Sequence, residues 1–116
     1  MRKSIQVDGD IHISLAGEDA EDWTLQAPRV EGYVIGRSDP DSEYAPDIDL
    51  TPHHGLDYGI SRRHAALVAY RGVVHVVDLG SMNGTYINGE RLSVNSAYPL
   101  HEGDRLSIAN LDLLII

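Results

Sequence analysis

The sequence predicts an all-β domain, a sandwich or a barrel of about eight to eleven short strands. Three observations lead there. Runs rich in Val, Ile, Leu, Thr and Tyr recur at short intervals, bounded by Gly, Asn, Asp and Pro. Two of the gaps between such runs have the form of two-residue hairpin turns. No amphipathic helix of useful length and no internal repeat interrupts the pattern.

Taken in order, "DIHISLAG" alternates polar and apolar residues, and "DWTLQAP" follows as a second β-rich run; together they place two strands within residues 10–31. "GYVIGR" is a short third run. "HAALVAY" and "GVVHVVDL" read as one hairpin turning at Arg71-Gly72. "GTYING" and "RLSV" form a second, because Asn88-Gly89 supplies the two positive φ angles that a type I′ turn demands. "DRLSIANLDLLII" completes the series, and its end on a bare strand leads to the expectation of a domain boundary there. Between "VIGR" and "ISRRH" runs "SDPDSEYAPDIDLTPHHGLDY", with three prolines and little periodicity beyond a short "IDL". A loop of that length inside a compact domain is usually functional or disordered. Its flanks carry Arg37, Arg62 and Arg63, which points to a site where they meet.

A chain of 116 residues corresponds to one domain, and a domain of this size buries about two-thirds of the surface of its unfolded chain without staples. There is no cysteine, hence no disulfide and no thiolate metal site. No stretch has the length of a membrane helix, and "MRKSIQVDGDIHIS" lacks the apolar centre of a signal peptide, so no membrane partner and a cytoplasmic setting are expected. The net charge of -9, nine basic against eighteen acidic residues, argues against a nucleic-acid partner, which needs a broad basic face. A single phosphate needs only a few well-placed donors.

Several chemistries can be weighed on the residues. Ser61, His64 and Asp78 contain the side chains of a hydrolase triad, but there is no G-x-S-x-G elbow, and positions three apart on a strand point to opposite faces. Asp39, Asp41 and Glu43 begin the spacing of a calcium loop, yet Tyr44 stands where its glycine belongs, and His53-His54 has no further spaced ligands; no metal is expected. "GSMNGTYING" is rich in glycine without the lysine of a nucleotide loop or a following helix. What remains is a donor set on separate loops: Arg37, Ser61 with Arg62, and Asn83 beside Gly84. Arginine offers a planar fork for charge-assisted bonds, serine a neutral donor, and asparagine a donor and an acceptor that can clamp a main chain.

In order and spacing, "YVIGRS", the acidic loop with "DIDL", "GISRRHA", "VVDLGSMNGTYINGERL" and "L-HEGDRLSI" resemble a forkhead-associated (FHA) domain over residues 32–116. The resemblance implies a β-sandwich of two mainly antiparallel sheets with about eleven strands, residues 10–31 supplying the first two. It implies no enzyme and no cofactor, but an interaction module that recognises phosphothreonine in an extended peptide. Carried over by position, Arg37, Ser61 and Arg62 contact the phosphate, and Asn83 holds the peptide backbone. Gly36, His64 and Gly84 support the site, and Arg63 and Met82 are candidate peptide contacts. Two positions depart from the pattern. Met82 stands where many members carry a hydroxyl, and "IAN" (residues 108–110) replaces a frequent Ile-Gly at a turn expected to lie far from the site. The alternatives are a phosphate-independent interaction sandwich and, behind it, a Ser/His hydrolase. The acidic surface further predicts partners with neutral or basic flanks around the phosphothreonine.

Overall fold

The computed structural model describes residues 2–17, 20–28 and 32–116. The expected N-terminal strand region, 10–31, therefore includes residues 18–19 and 29–31, which lie outside the described residues. Eleven strands are seen among the described residues: β1 (Asp10–Leu15), β2 (Glu21–Gln26), β3 (Tyr33–Gly36), β4 (Ile48–Asp49), β5 (Ala65–Tyr70), β6 (Val73–Asp78), β7 (Thr85–Ile87), β8 (Glu90–Arg91), β9 (Ala97–Pro99), β10 (Arg105–Ile108) and β11 (Leu111–Ile115). They form a six-stranded sheet in the order β2-β1-β11-β10-β7-β8 and a five-stranded sheet in the order β4-β3-β5-β6-β9. Strand pairing is antiparallel except between β3 and β4. The all-β sandwich of two mainly antiparallel sheets is thus present.

The alternation that predicts the strands also fills the core. Ile11 and Ile13 of β1, Leu67 of β5, Val74 and Val76 of β6, Leu106 and Ile108 of β10, and Leu113 and Ile115 of β11 have no exposed surface. Each pair is two apart, so one face of each strand points inward. Burying such a side chain contributes about 1.5–3 kcal/mol relative to leaving it exposed. Opposite edges are tied together as well. Glu21 of β2 accepts a hydrogen bond from Nε2 of the buried His53, which ends a single 3-10 turn (Thr51–His53) after β4, at 2.9 Å. Trp23 packs edge-on against the same imidazole.

Both predicted hairpins form. Tyr70 pairs with Val73 across Arg71 (φ 52) and Gly72 (φ 78), and Ile87 pairs with Glu90 across Asn88 (φ 50) and Gly89 (φ 88). The run "RLSV" is strand only at its start, in β8, and β9 is a three-residue strand that hydrophobic periodicity does not reveal. Pro99 sits within β9, at the sheet edge, where a missing N–H costs no ladder bond. The long 38–58 segment is only partly irregular, since β4 lies within it, parallel to β3. No helix among the described residues is long and apolar enough to cross a membrane.

Candidate functional site

Three loops meet at one end of the sandwich: the segment after β3, the segment before β5, and the segment between β6 and β7. Backbone proximity sets the first contact. Gly36, at the end of β3, is buried, and a side-chain carbon added there would overlap the carbonyl of Arg62. A glycine is needed at that position because the β3 backbone runs against the "SRRH" loop with no room between them. Arg37 follows at once. Its Nε donates to the carbonyl of Ile60 at 2.8 Å, which aims the half-buried guanidinium along the loop that carries Ser61. Among the described residues no carboxylate pairs with it.

His64 joins the second and third loops. It has no exposed surface; its Nδ1 accepts the backbone N–H of Ser61 at 3.1 Å, and its Nε2 meets the Gly84 carbonyl at 2.8 Å. Because Nδ1 accepts, the ring proton is on Nε2 and is donated to Gly84. Burial holds the imidazole below its ordinary value of 6.5 and outweighs the Gly84 bond and the nearby Asp78 charge, which act the other way. Both ring nitrogens are committed to the backbone, while the Ser61 hydroxyl accepts the N–H of Met82 at 3.2 Å. The Ser61–His64–Asp78 hydrolase triad is therefore not assembled.

Asp78 has a different task. It occupies the inward position that follows Val74 and Val76, and it is buried. Its two oxygens accept from the Ser81 and Thr85 hydroxyls, each at 2.6 Å, and from the N–H groups of Gly80 and Ser81. Burial alone would raise its carboxyl; these four donors outweigh that and hold it below the usual carboxylate range. The 79–84 loop is folded around this one charge. Asn83 then reaches across and donates Nδ2 to the carbonyl of Gly59 at 2.8 Å, closing the second and third loops on each other. Gly59 (φ 76) has no room for a side chain beneath that amide.

The predicted residues Arg37, Ser61, Arg62, Asn83, Gly36, His64 and Gly84 are brought together in this way. Arg63 is exposed, and Met82 is exposed over 84% of its surface. One expectation is corrected. The 108–110 turn is not far from the site: Ala109 (φ 53) donates its N–H to the Gly84 carbonyl at 2.9 Å, so the turn between β10 and β11 buttresses the residue next to Asn83. Strand order explains the error, because β10 pairs with β7 directly behind the third loop.

Other residues were not singled out for the site by sequence. Asp39 accepts from Arg62 Nη1 at 2.9 Å, and its carboxyl is held below the usual range first by the Asp41 N–H and then by Arg62 and Arg37. Tyr44 donates its hydroxyl to the Arg62 carbonyl at 3.2 Å and, with Ser61, Arg62 and Arg63, lines an open depression of about 330 Å³. Tyr86 donates to the Asn83 carbonyl, with Arg91 lying 5.9 Å from its ring centroid. The Asp78 role had a signal: an Asp followed by Gly and Ser at two and three residues is a turn built on the side chain.

With this geometry in place, the fold is a two-sheet β-sandwich with polar donor side chains gathered on the loops at one end. Residues 33–109 match the FHA domain family, and the chain belongs to it. It is similar to Protein FraH of Nostoc sp. (32% identical over 81 residues, 70% of this chain and 28% of that protein). It is also similar to the glycogen accumulation regulator GarA of Mycolicibacterium smegmatis (43% identical over 60 residues, 52% of this chain and 36% of that protein). The chain spans well under half the length of these curated relatives. Among solved structures it superposes with TM-score 0.68, at 23% identity, over 91% of this chain and 94% of the other, on a domain studied for phosphothreonine-dependent FHA interactions. The region from residue 33 to residue 109 is an FHA domain.

Proposed function

We propose that the three-loop site binds a phosphothreonine side chain within an extended peptide and so joins this chain to a phosphorylated partner. The observation that carries the reading is the convergence of Arg37, Ser61 and Arg62. Arg37 is anchored by Nε alone on the residue before Ser61, which leaves its two terminal nitrogens for a ligand. A phosphothreonine carries about -1.5 to -2 charge at neutral pH and three acceptor oxygens. Charge-assisted bonds from Arg37 and Arg62 contribute on the order of 1.5–3 kcal/mol each, and the Ser61 hydroxyl rotates to add a neutral donor. Asn83 spends one amide hydrogen on Gly59, leaving a second hydrogen and Oδ1 for the peptide main chain. Gly36, His64 and Gly84 set the loops, and Arg63 and Met82 flank the bound peptide.

The acidic chain around a small cationic site fits a single phosphate better than a polyanion, and it favours neutral or basic flanks. A cytoplasmic setting belongs to the same reading and is compatible with the absence of cysteine. The test is an oriented peptide library with a fixed phosphothreonine, followed by calorimetry on a selected peptide with and without the phosphate. Phosphate-dependent binding is expected. Equal binding of both forms would mean a phosphate-independent interaction module instead.

A further inference from the structure

The two sheets differ on their outer faces. On the six-stranded sheet that face carries His12, Asp22, Arg105 and Asp112, polar residues of the kind a solvated surface requires. On the five-stranded sheet it is apolar. Val34, Ala66, Val77 and Ala97 pair in one row across β3, β5, β6 and β9, and Val68, His75 and Pro99 pair in the next. Val34, Val68 and Val77 are half-buried, Ala97 and Pro99 are exposed, and Tyr70, two residues beyond Val68, is 47% exposed. His75 is the one residue of the two rows that is not apolar. It donates Nδ1–H to the Val73 carbonyl at 2.9 Å and packs edge-on against Tyr70. Strands with one solvated face alternate, whereas near-continuous apolar runs such as "AALVAY" and "VVHVV" belong to strands covered on both faces.

We propose that this outer face is a self-association surface, on which a second copy of the chain packs sheet against sheet in a two-fold dimer. The two rows carry small and β-branched side chains and no carboxylate, lysine or arginine. Stacking two such faces about 10 Å apart repeats the packing that the sandwich uses inside. The ends of the face carry unlike charges. Asp47, exposed, accepts the Val34 N–H at 2.8 Å and stands beside the first row, while Arg71, 5.2 Å from the Tyr70 ring centroid, stands at the turn that ends β5. A two-fold axis in the interface, perpendicular to the strands, sets the copies antiparallel, so that the Arg71 end of each meets the Asp47 end of the other. Four strands by five residues span about 300 Å² on each copy, against about 800 Å² per partner in a stable interface, so the dimer is a weak one that forms at high concentration. Two copies so joined leave both three-loop sites open, because those loops lie at the ends of the strands, and the association needs no bound phosphate.

Sedimentation equilibrium of the chain from about 20 µM to about 1 mM, at low and high salt, reads the association. The average mass is expected to rise with concentration from one chain towards two. Two copies of net charge -9 repel each other, and salt screens that repulsion without weakening an apolar contact. The dissociation constant should therefore fall at least about threefold from about 0.05 M to about 0.5 M salt. Val68→Lys makes the chain less acidic, yet it should weaken the dimer at least about tenfold by burying an unpaired charge, while circular dichroism shows a folded sheet. Val77→Lys should do the same from the neighbouring strand. A chain monomeric at every concentration and salt overturns the proposal and leaves the face to a different partner. A dimer that survives both lysine variants overturns it too, as does one that weakens when salt rises, which would be held by charge. Should both variants fail to fold, the unmodified chain decides. In a mixture of isotope-labelled and unlabelled copies, magnetisation transfer between copies is expected at the Val68 and Val77 methyls, and transfer confined to other residues overturns the proposal.

Discussion

His64 donates its Nε2 proton to the carbonyl of Gly84 at 2.8 Å while accepting the Ser61 N–H on its other nitrogen. One buried ring therefore holds the loop that carries Ser61 to the loop that carries Asn83. The arrangement requires a neutral imidazole, since a proton on Nδ1 would face the Ser61 N–H with no acceptor.

Stability is accordingly expected to fall on mild acidification. In the folded chain burial lowers the affinity of His64 for a proton, whereas the unfolded chain binds one near the ordinary 6.5. The unfolded state thus carries more protons below that value, and stability rises with pH through the window. Its contribution is complete above about pH 6.5 and is lost as pH falls from there through the lower folded value. Urea denaturation from pH 8 to pH 5 should show this slope, and it should flatten in His64→Gln.

Asp78→Ala removes the charge around which the 79–84 loop is folded. It leaves the buried Thr85 hydroxyl and three further donors without an acceptor. A loss of about 3 kcal/mol in unfolding free energy is expected from a broken buried network of this kind. An unchanged midpoint in urea would show that water replaces the carboxylate without cost.

Arg37→Ala gives up one bond to the Ile60 carbonyl, so the fold should persist with a loss of about 1 kcal/mol. Phosphopeptide affinity should fall at least about tenfold, the loss of one charge-assisted contact. Circular dichroism and calorimetry on the same sample separate the two effects. Full affinity in the folded variant would remove Arg37 from the phosphate site.

Asp39→Asn acts in the opposite direction. The carboxylate of Asp39 holds Arg62 Nη1 at 2.9 Å, and a phosphate must share or take that guanidinium. The amide can keep the bond from the Asp41 N–H while removing a negative charge next to the ligand. Phosphopeptide binding should tighten about three- to tenfold at low salt, with a smaller gain at high salt. Weaker binding would mean that Asp39 serves chiefly to orient Arg62.

Met82→Thr tests one of the two positions at which the chain departs from the family pattern. The Met82 N–H already meets the Ser61 hydroxyl at 3.2 Å, so a hydroxyl on residue 82 starts beside the proposed phosphate. A gain of about 0.5–1.5 kcal/mol, about two- to twelvefold in affinity, is expected by calorimetry.

The sequence made the sandwich and the donor set readable for different reasons. Val74, Val76, Leu113 and Ile115 alternate, and a buried face has no other way to be written along a strand. Asn88-Gly89 marks its turn because few residues accept two positive φ angles in succession. Arg37, Ser61 and Asn83 lie in short motifs whose spacing is fixed by close backbone contacts such as Gly36 against Arg62. The three-residue β9 is too short for any period to register. Asp39, Tyr44 and Ala109 escaped for another reason: each acts on the site through a contact made only in three dimensions, between segments far apart in the chain. Ala109 is the sharpest case, because β10 must lie beside β7 before its turn can touch Gly84.

The Gly84 carbonyl accepts two hydrogen bonds, one from His64 and one from Ala109. An sp² oxygen has two lone pairs, so this one is saturated and its peptide plane cannot swing. At this point the loop beside Asn83 is held from two sides, by the buried imidazole and by the turn between β10 and β11. For the proposed phosphopeptide site, a loop held in this way implies that affinity differences among peptides lie chiefly in how fast they leave.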